Sequence, residues 1–319
     1  MQNVIRALQG LEGTTLVLTH HNADIDAISS ALGLEYVLRK LGKNVVVGAA
    51  ESVSAPARKL LGDQKIVIDP DCSKFKNVIV VETSVPEQLA SVRNLRADIL
   101  IDHHPPGPLK ADVSYIDQSI KSASQIVFEI MKILKVEPDS RMAAVLAAGI
   151  VADTAHMRLA DSRSLFALAE LIERVPLADV LALVEMEQTT SDRVAALKAA
   201  SRMELYKIGE LLVAFSKVVS HEANACRALL KVGADIAVVV AEKDVEVRIS
   251  SRGRNDILKY GIDLSVVFAD VGKAIGGTGG GHDQAGSANG PDRTGISEAK
   301  KLIIHYLEKK AGKQAKLLE

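Results

Sequence analysis

Five short apolar runs, TTLVLT at 14–19, VVVG at 45–48, KIVI at 65–68, NVIVV at 77–81 and ADILI at 97–101, alternate with longer segments of helical character. That rhythm predicts a parallel α/β sheet. Between the first two runs, Ile28, Ala31, Leu32, Tyr36, Leu38 and Leu41 keep roughly to one helical face, and Gly42 ends the segment. Further helices are expected over 121–136, 140–157 and 160–174.

Beyond these, 177–207 reads as helical and charged without β-type runs, which suits a connecting helix. Its own order follows: LLVAFSKV at 211–218, a helix at 221–232, then DIAVVVAEKDVEVRISSR at 235–252, where Glu242–Asp244 separates two alternating runs like a hairpin. This is a mixed sheet and not a continuation of the first. The fold class expected is therefore α/β, with a parallel-sheet N-terminal domain over 1–190, helices on both its faces, and a smaller mixed-sheet α/β domain over 191–319 that includes the connecting helix. The last residues, EKKAGKQAKLLE, read as a solvated helix end.

Composition narrows the function. With Lys+Arg 39 against Asp+Glu 40 and a net charge of -1, the chain lacks the cationic footprint that long nucleic acid demands. Aromatic residues are 3% with no Trp, so stacking platforms for extended single strands are hard to build. Two distant cysteines, Cys72 and Cys226, argue against a disulfide framework and fit a reducing cytoplasm. No uninterrupted apolar run of about 18 residues appears, and no membrane partner is expected.

The chemistry gathers where strands end. HHNADID follows TTLVLT directly, so His20, Asp24 and Asp26 lie outside the carboxyl end of a strand, where open α/β sheets bind ligands. One imidazole and two carboxylates suit Mn²⁺ or another borderline-hard ion, although Asp24 or Asn22 serves equally well as a helix cap. NVIVV ends in Glu82, which by itself reads as an ordinary loop residue, and ADILI ends in Asp102-His103-His104. Buried carboxylates beside imidazoles need pairing or a metal. Asp153 closes a fourth cluster, at the end of the apolar helix through AGIVADTAH.

Together HHNADIDAISS, VVETS, IDHHPPG and GIVADTAHMR resemble the four ordered motifs of the DHH phosphoesterase family, and GGTGGGH at 276–282 followed by AGSA resembles the glycine-rich motif of its associated C-terminal domain. The resemblance implies two Mn²⁺ ions, with Mg²⁺ as the alternative. It implies His20 and Asp24 on one ion, Asp26, His103 and Asp153 on the other, and Glu82 between them where the family pattern has Asp. It further implies that Asp102 orients the neighbouring imidazole and that His104 faces the substrate phosphate. Two ions about 3.5–4 Å apart activate water and stabilise an in-line displacement at phosphorus. In the second part, Arg252, Gly279, Gly280, Gly281 and His282 are the expected phosphate-binding residues, with backbone amides of the glycines free to approach an anion.

The expected activity is hydrolysis of short single-stranded oligonucleotides, RNA or DNA, or of small nucleotides such as pAp. Cyclic-dinucleotide hydrolysis and a catalytically weakened scaffold protein in replication or RNA turnover are the alternatives. A homodimer is compatible with this reading.

Overall fold

The computed structural model describes residues 1–185, 188–242 and 246–318. Its contacts divide the chain into two compact units, Met1–Met186 and Glu187–Glu319.

The first unit runs α1 (Gln2–Gly10), β1 (Thr14–Thr19), α2 (Ile25–Lys40), β2 (Asn44–Ala49), α3 (Arg58–Leu61), β3 (Val67–Ile68), β4 (Asn77–Val81), β5 (Ile99–Asp102), β6 (Val113–Ile116), α4 (Ala123–Leu134), α5 (Ser140–Asp153), α6 (Ser162–Ile172) and α7 (Leu177–Val184). All six strands are parallel, in the order β3-β2-β1-β4-β5-β6. The order reverses direction between β2-β1 and β1-β4, a topological switch point of the kind that opens a crevice at the strands' carboxyl ends.

Because the central strands are buried on both faces, their sequences are continuous apolar runs. Val17, Ile79, Val81, Ile99 and Ile101 enter a core shared with α1, α2, α4 and α5. Leu16, Leu18, Val78, Val80 and Leu100 enter a second, smaller core with Cys72 and Leu89. The α-helices cover the first face; the second is covered by the single-turn 3₁₀ helices Cys72–Lys74 and Pro86–Leu89 and their connecting loops. Helix α2 is buried almost from end to end and starts at Asp24, whose Oδ1 accepts from the amide of Ala27 at 3.0 Å.

The second unit runs α8 (Thr190–Ser201), β7 (Glu204–Ile208), β8 (Leu211–Val218), α9 (Glu222–Val232), β9 (Ile236–Glu242), β10 (Val247–Gly253), α10 (Leu264–Ala274), β11 (Thr278–His282), β12 (Ala285–Gly290), α11 (Ile296–Ala311) and β13 (Ala315–Leu318). Its sheet is ordered β11-β12-β10-β9-β8-β7-β13, with β8 and β9 parallel and the other pairs antiparallel. Helices α10 and α11 lie on one face, α8 and α9 on the other.

Several local expectations change. The stretch 177–207 is not one connecting helix: it holds α7, α8 and strand β7. Beyond Gly312, Ala315–Leu318 form β13, which pairs with β7, in place of a helix end. Helix α5 stops at Asp153, because Ala155, His156 and Met157 all take positive φ. Of the residues expected to separate the β9 and β10 runs, Lys243 and Asp244 lie outside the described residues; β9 and β10 do pair antiparallel.

The glycine-rich segment is an edge strand, not a loop. One glycine on each side makes the close approach of α10 possible: a Cβ at Gly272 of α10 would stand 2.3 Å from backbone atoms of Thr278 and Gly279, and one at Gly279 of β11 would stand 2.0 Å from the Phe268 carbonyl oxygen. Helix and strand meet backbone to backbone, which glycine alone permits. Gly272→Ala should therefore cost about 2 kcal/mol of stability despite alanine's better helix propensity. Urea unfolding monitored by circular dichroism checks this, and an unchanged or raised midpoint contradicts it.

Candidate metal centre

Strands β1, β4 and β5 are neighbours, so the loops leaving their carboxyl ends converge. Asp102, the last residue of β5, is fully buried. Its Oδ1 accepts from the amides of His103 (2.8 Å) and His104 (3.0 Å) and lies 3.0 Å from His104 Nδ1. Burial alone would push this carboxyl up, but the hydrogen bonds from the His104 ring and the two amides outweigh it and hold Asp102 below its ordinary range. Asp102 is thus held ionised against the His104 ring and meets His103 through its backbone amide.

His103 turns its Nε2 into a nest of acids: Glu82 Oε1 at 3.1 Å, Asp153 Oδ2 at 3.1 Å and Asp26 Oδ2 at 3.9 Å. Burial works against its protonation, yet hydrogen bonds to Asp153 and Glu82 and the charges of Glu82 and Asp26 raise it to about 11. Burial, with the charge of Asp26 beside it, pushes Glu82 well above its ordinary value. Burial and the neighbouring Asp153 raise Asp26 to about 6.

The elements explain the placement. Asp26 sits in the first turn of α2 and is fully buried, its two oxygens accepting from the amides of Ala123 (2.6 Å) and Ser124 (3.0 Å) at the start of α4. Glu82 follows β4, its amide donating to Ile101 at 3.0 Å, and its backbone is left-handed at φ 68. For a residue with a Cβ this costs roughly 1–2 kcal/mol. Asp153 is the last helical residue of α5, and Thr154 Oγ1 closes that end on the Ile150 carbonyl at 2.6 Å.

These donors fit a divalent cation. Asp26, Glu82, His103 and Asp153 form one group whose ligand atoms lie within 4.8 Å of one another, and Glu82, His103 and His104 form another. Among the described residues, Glu82 Oε2 and Asp102 Oδ2 are buried without a hydrogen-bond partner. A buried, partnerless carboxylate oxygen facing a nest of like charges lacks a positive counterpart, and carboxylate plus imidazole is the donor mixture of Mn²⁺, Mg²⁺ and similar ions.

His20 and Asp24 stand outside both groups. His20 Nδ1 lies 2.8 Å from the His21 carbonyl oxygen, and one oxygen of Asp24 caps α2. In the second unit, Arg252 and His282 both register with Ala285, on either side of β12, so they project from the same face about two strand spacings, roughly 10 Å, apart. Arg252 Nη1 donates to the Ser251 carbonyl at 2.7 Å. Gly279 and Gly281 are hemmed by backbone, whereas Gly280 faces open space.

Sequence reasoning missed the backbone amides of Ala123 and Ser124 that hold Asp26. Their local signal was Ser122, which caps α4 by accepting from the Gln125 amide at 3.1 Å. It also missed the clasp between the two neighbouring loops, in which Gly107 N donates to Ser84 Oγ at 2.7 Å and Leu109 N to the Ser84 carbonyl at 3.0 Å.

A six-stranded parallel sheet with an acid–imidazole group able to hold a metal ion at adjacent strand ends, followed in the chain by a mixed-sheet unit, defines an α/β protein of two units with a candidate metal centre. Residues 14–150 match the N-terminal domain of the DHH family and residues 192–309 match the DHHA1 domain. An uncharacterized protein of Methanocaldococcus jannaschii is 37% identical over 286 residues, covering 86% of this chain and 87% of that one. The bifunctional oligoribonuclease and PAP phosphatase of Thermus thermophilus is 29% identical over 166 residues, 51% of this chain and 50% of its own length. The crystal structure of an exopolyphosphatase-related protein from Bacteroides fragilis superposes with a TM-score of 0.67 at 18% identity, covering 98% of this chain and 97% of that one, and shares its fold. The chain belongs to the DHH phosphoesterase family.

The acid nest sets a pH dependence for the metal-free protein. Asp26 releases its proton near 3.8 when unfolded and near 6 when folded, so the stability it contributes is complete below 3.8 and lost as pH rises through about 6. Glu82 acts in the same direction, and the contribution of His103 is complete below 6.5 and lost as pH climbs toward 11. Carboxyls held low by hydrogen bonds, such as Asp71 at about 2, lose their contribution only in stronger acid. In EDTA the melting temperature should therefore fall between about pH 5 and pH 8, while the upward shift produced by Mn²⁺ should grow, because the metal requires deprotonated ligands. Differential scanning calorimetry reads both slopes; a rising EDTA curve contradicts the assignment.

Proposed function

We propose that this chain is a divalent-metal-dependent phosphoesterase, using Mn²⁺ or Mg²⁺, that hydrolyses short oligonucleotides or small nucleotides such as pAp. The observation that carries the reading is the nest of buried Asp26 and Glu82 and half-buried Asp153 around His103 Nε2, with Glu82 Oε2 left partnerless. Bound divalent cations would neutralise this charge and supply an activated water and electrostatic stabilisation at phosphorus.

In this reading Asp26, Glu82, His103 and Asp153 would hold one cation, and His20 and Asp24 would help to hold a second, with Glu82 serving both. The oxygen of Asp24 not engaged in capping supports this role. His104, 52% exposed, offers its outward ring edge to a phosphoryl oxygen, while Asp102 fixes its orientation through Nδ1. With Nδ1 facing Asp102, the free Nε2 is the position for a proton aimed at the substrate.

The second unit offers anion-binding groups of its own. Arg252 and His282 supply cationic or donor groups from one sheet face, and Gly280, whose missing side chain no protein atom requires, leaves backbone open to an anion. The balance of Lys+Arg 39 against Asp+Glu 40 supports short over long substrates. The Thermus thermophilus relative named for oligoribonuclease and PAP phosphatase activities supports the same substrate class.

The test is a Mn²⁺ assay of the purified chain on di- to pentanucleotide RNA and DNA, longer strands, pAp, cyclic dinucleotides and pyrophosphate. Turnover is expected on short linear oligonucleotides or pAp. His103→Ala should abolish it, and Asp102→Ala should reduce it by about 10–100-fold, both with native circular dichroism. Preferred hydrolysis of cyclic dinucleotides would redirect the substrate assignment. Full activity in His103→Ala would overturn the site itself.

A further inference from the structure

Asp26 is held from two sides. On one side the first two amides of α4 donate to its carboxylate, at 2.6 Å from Ala123 and 3.0 Å from Ser124. These are amides that a helix leaves without intrahelical partners, and the positive end of the helix dipole adds to their pull on a carboxylate. On the other side lies the backbone of α5 at Gly149. A Cβ there would stand 2.1 Å from Ser124 Oγ, 2.7 Å from Ser124 Cβ and 2.7 Å from Asp26 Oδ1.

Gly149 precedes Asp153 by four residues, so the two share one face of α5. The same helix therefore delivers one acid to His103 and, one turn earlier, offers no side chain where a second acid must sit. Intrinsic propensity opposes this choice: alanine in mid-helix is favoured over glycine by about 1 kcal/mol. The packing of α5 against α4 does not account for it alone, because one of the three close contacts is the carboxylate itself.

We propose that Gly149 is a positioning residue of the metal centre, its missing side chain letting α2, α4 and α5 close until Asp26 and Asp153 reach a common cation. The inference rests on the metal reading above. It predicts that a methyl group at 149 displaces Asp26 and weakens metal binding, beyond any effect on the stability of the fold.

The experiment measures Mn²⁺ affinity by isothermal titration, together with thermal unfolding in EDTA, for the full-length wild type, G149A, S124G and the G149A/S124G double variant. Ser124→Gly removes two of the three contacts but leaves Asp26 Oδ1 in the way. G149A is expected to bind Mn²⁺ at least about tenfold more weakly than wild type. The double variant should recover stability in EDTA toward that of S124G, yet still bind Mn²⁺ about tenfold more weakly than S124G. If G149A does not fold, the comparison of the double variant with S124G decides alone. Equal Mn²⁺ affinity in that pair, or unchanged affinity in G149A, overturns the proposal while the wild type still binds. A wild type that binds no divalent ion overturns the metal reading, and the proposal with it.

Discussion

Three carboxylates crowded around one imidazole nitrogen, two of them buried, set the terms for the rest of the first unit. Asp26 and Glu82 are 0% and 2% exposed. Desolvating such groups costs several kcal/mol each unless partners replace the lost water. The surrounding structure supplies partners to some oxygens and withholds them from others. Asp26 is met by the start of α4, Asp102 by two amides and an imidazole, and Glu82 by His103 on one oxygen only. What remains unmet is the charge of the nest together with two buried carboxylate oxygens, Glu82 Oε2 and Asp102 Oδ2, which is why a cation is the natural completion of the site.

The sheet order makes this crowding attainable. Residues at 26, 82, 103 and 153 are far apart in sequence, but β1, β4 and β5 are consecutive in the sheet, and α2 and α5 pack together on its helical face. Three strand ends and one helix end then point at a single spot. The parts of this plan that were legible in the sequence are those in which local pattern and tertiary role agree. TTLVLT and NVIVV are buried on both faces and read as strands over their observed bounds, and the acids and histidine after TTLVLT stood out against apolar surroundings. Strand β6 escaped because VSYI is a half-exposed edge with no apolar run. Strand β13 escaped because AKLL follows a charged helix end and gains its pairing only from β7. The grip on Asp26 was out of reach for a deeper reason: backbone amides carry no sequence signature, and Gly149 matters for a contact across three helices.

The glycine-rich strand shows the same limit from the opposite direction. As sequence, five glycines around Thr278 suggest a loop open to an anion. In the fold, Gly279 is spent on the approach of α10, and Gly281 combines φ +151 with a backbone contact that leaves no room for a Cβ. Packing thus accounts for glycines that chemistry alone had claimed. Gly280 is the residue left over, exposing backbone on an edge strand beside His282, where a phosphate-binding role has the least competition from structure.

Glu82 is where the sequence argued most weakly and where the fold argues most. A polar residue that merely starts a loop has no reason to be 2% exposed, in a left-handed backbone, with a carboxylate oxygen that nothing satisfies. Each of those features costs stability, and neutral replacement would relieve the electrostatic part. The extra methylene relative to aspartate carries the carboxylate about one carbon–carbon bond further from β4, toward the ring nitrogens of both His103 (3.1 Å) and His104 (3.6 Å). A scaffold that had lost its chemistry would gain by shedding such a group. A centre that binds cations gains by keeping it, because the same uncompensated charge that destabilises the metal-free fold is the source of its affinity.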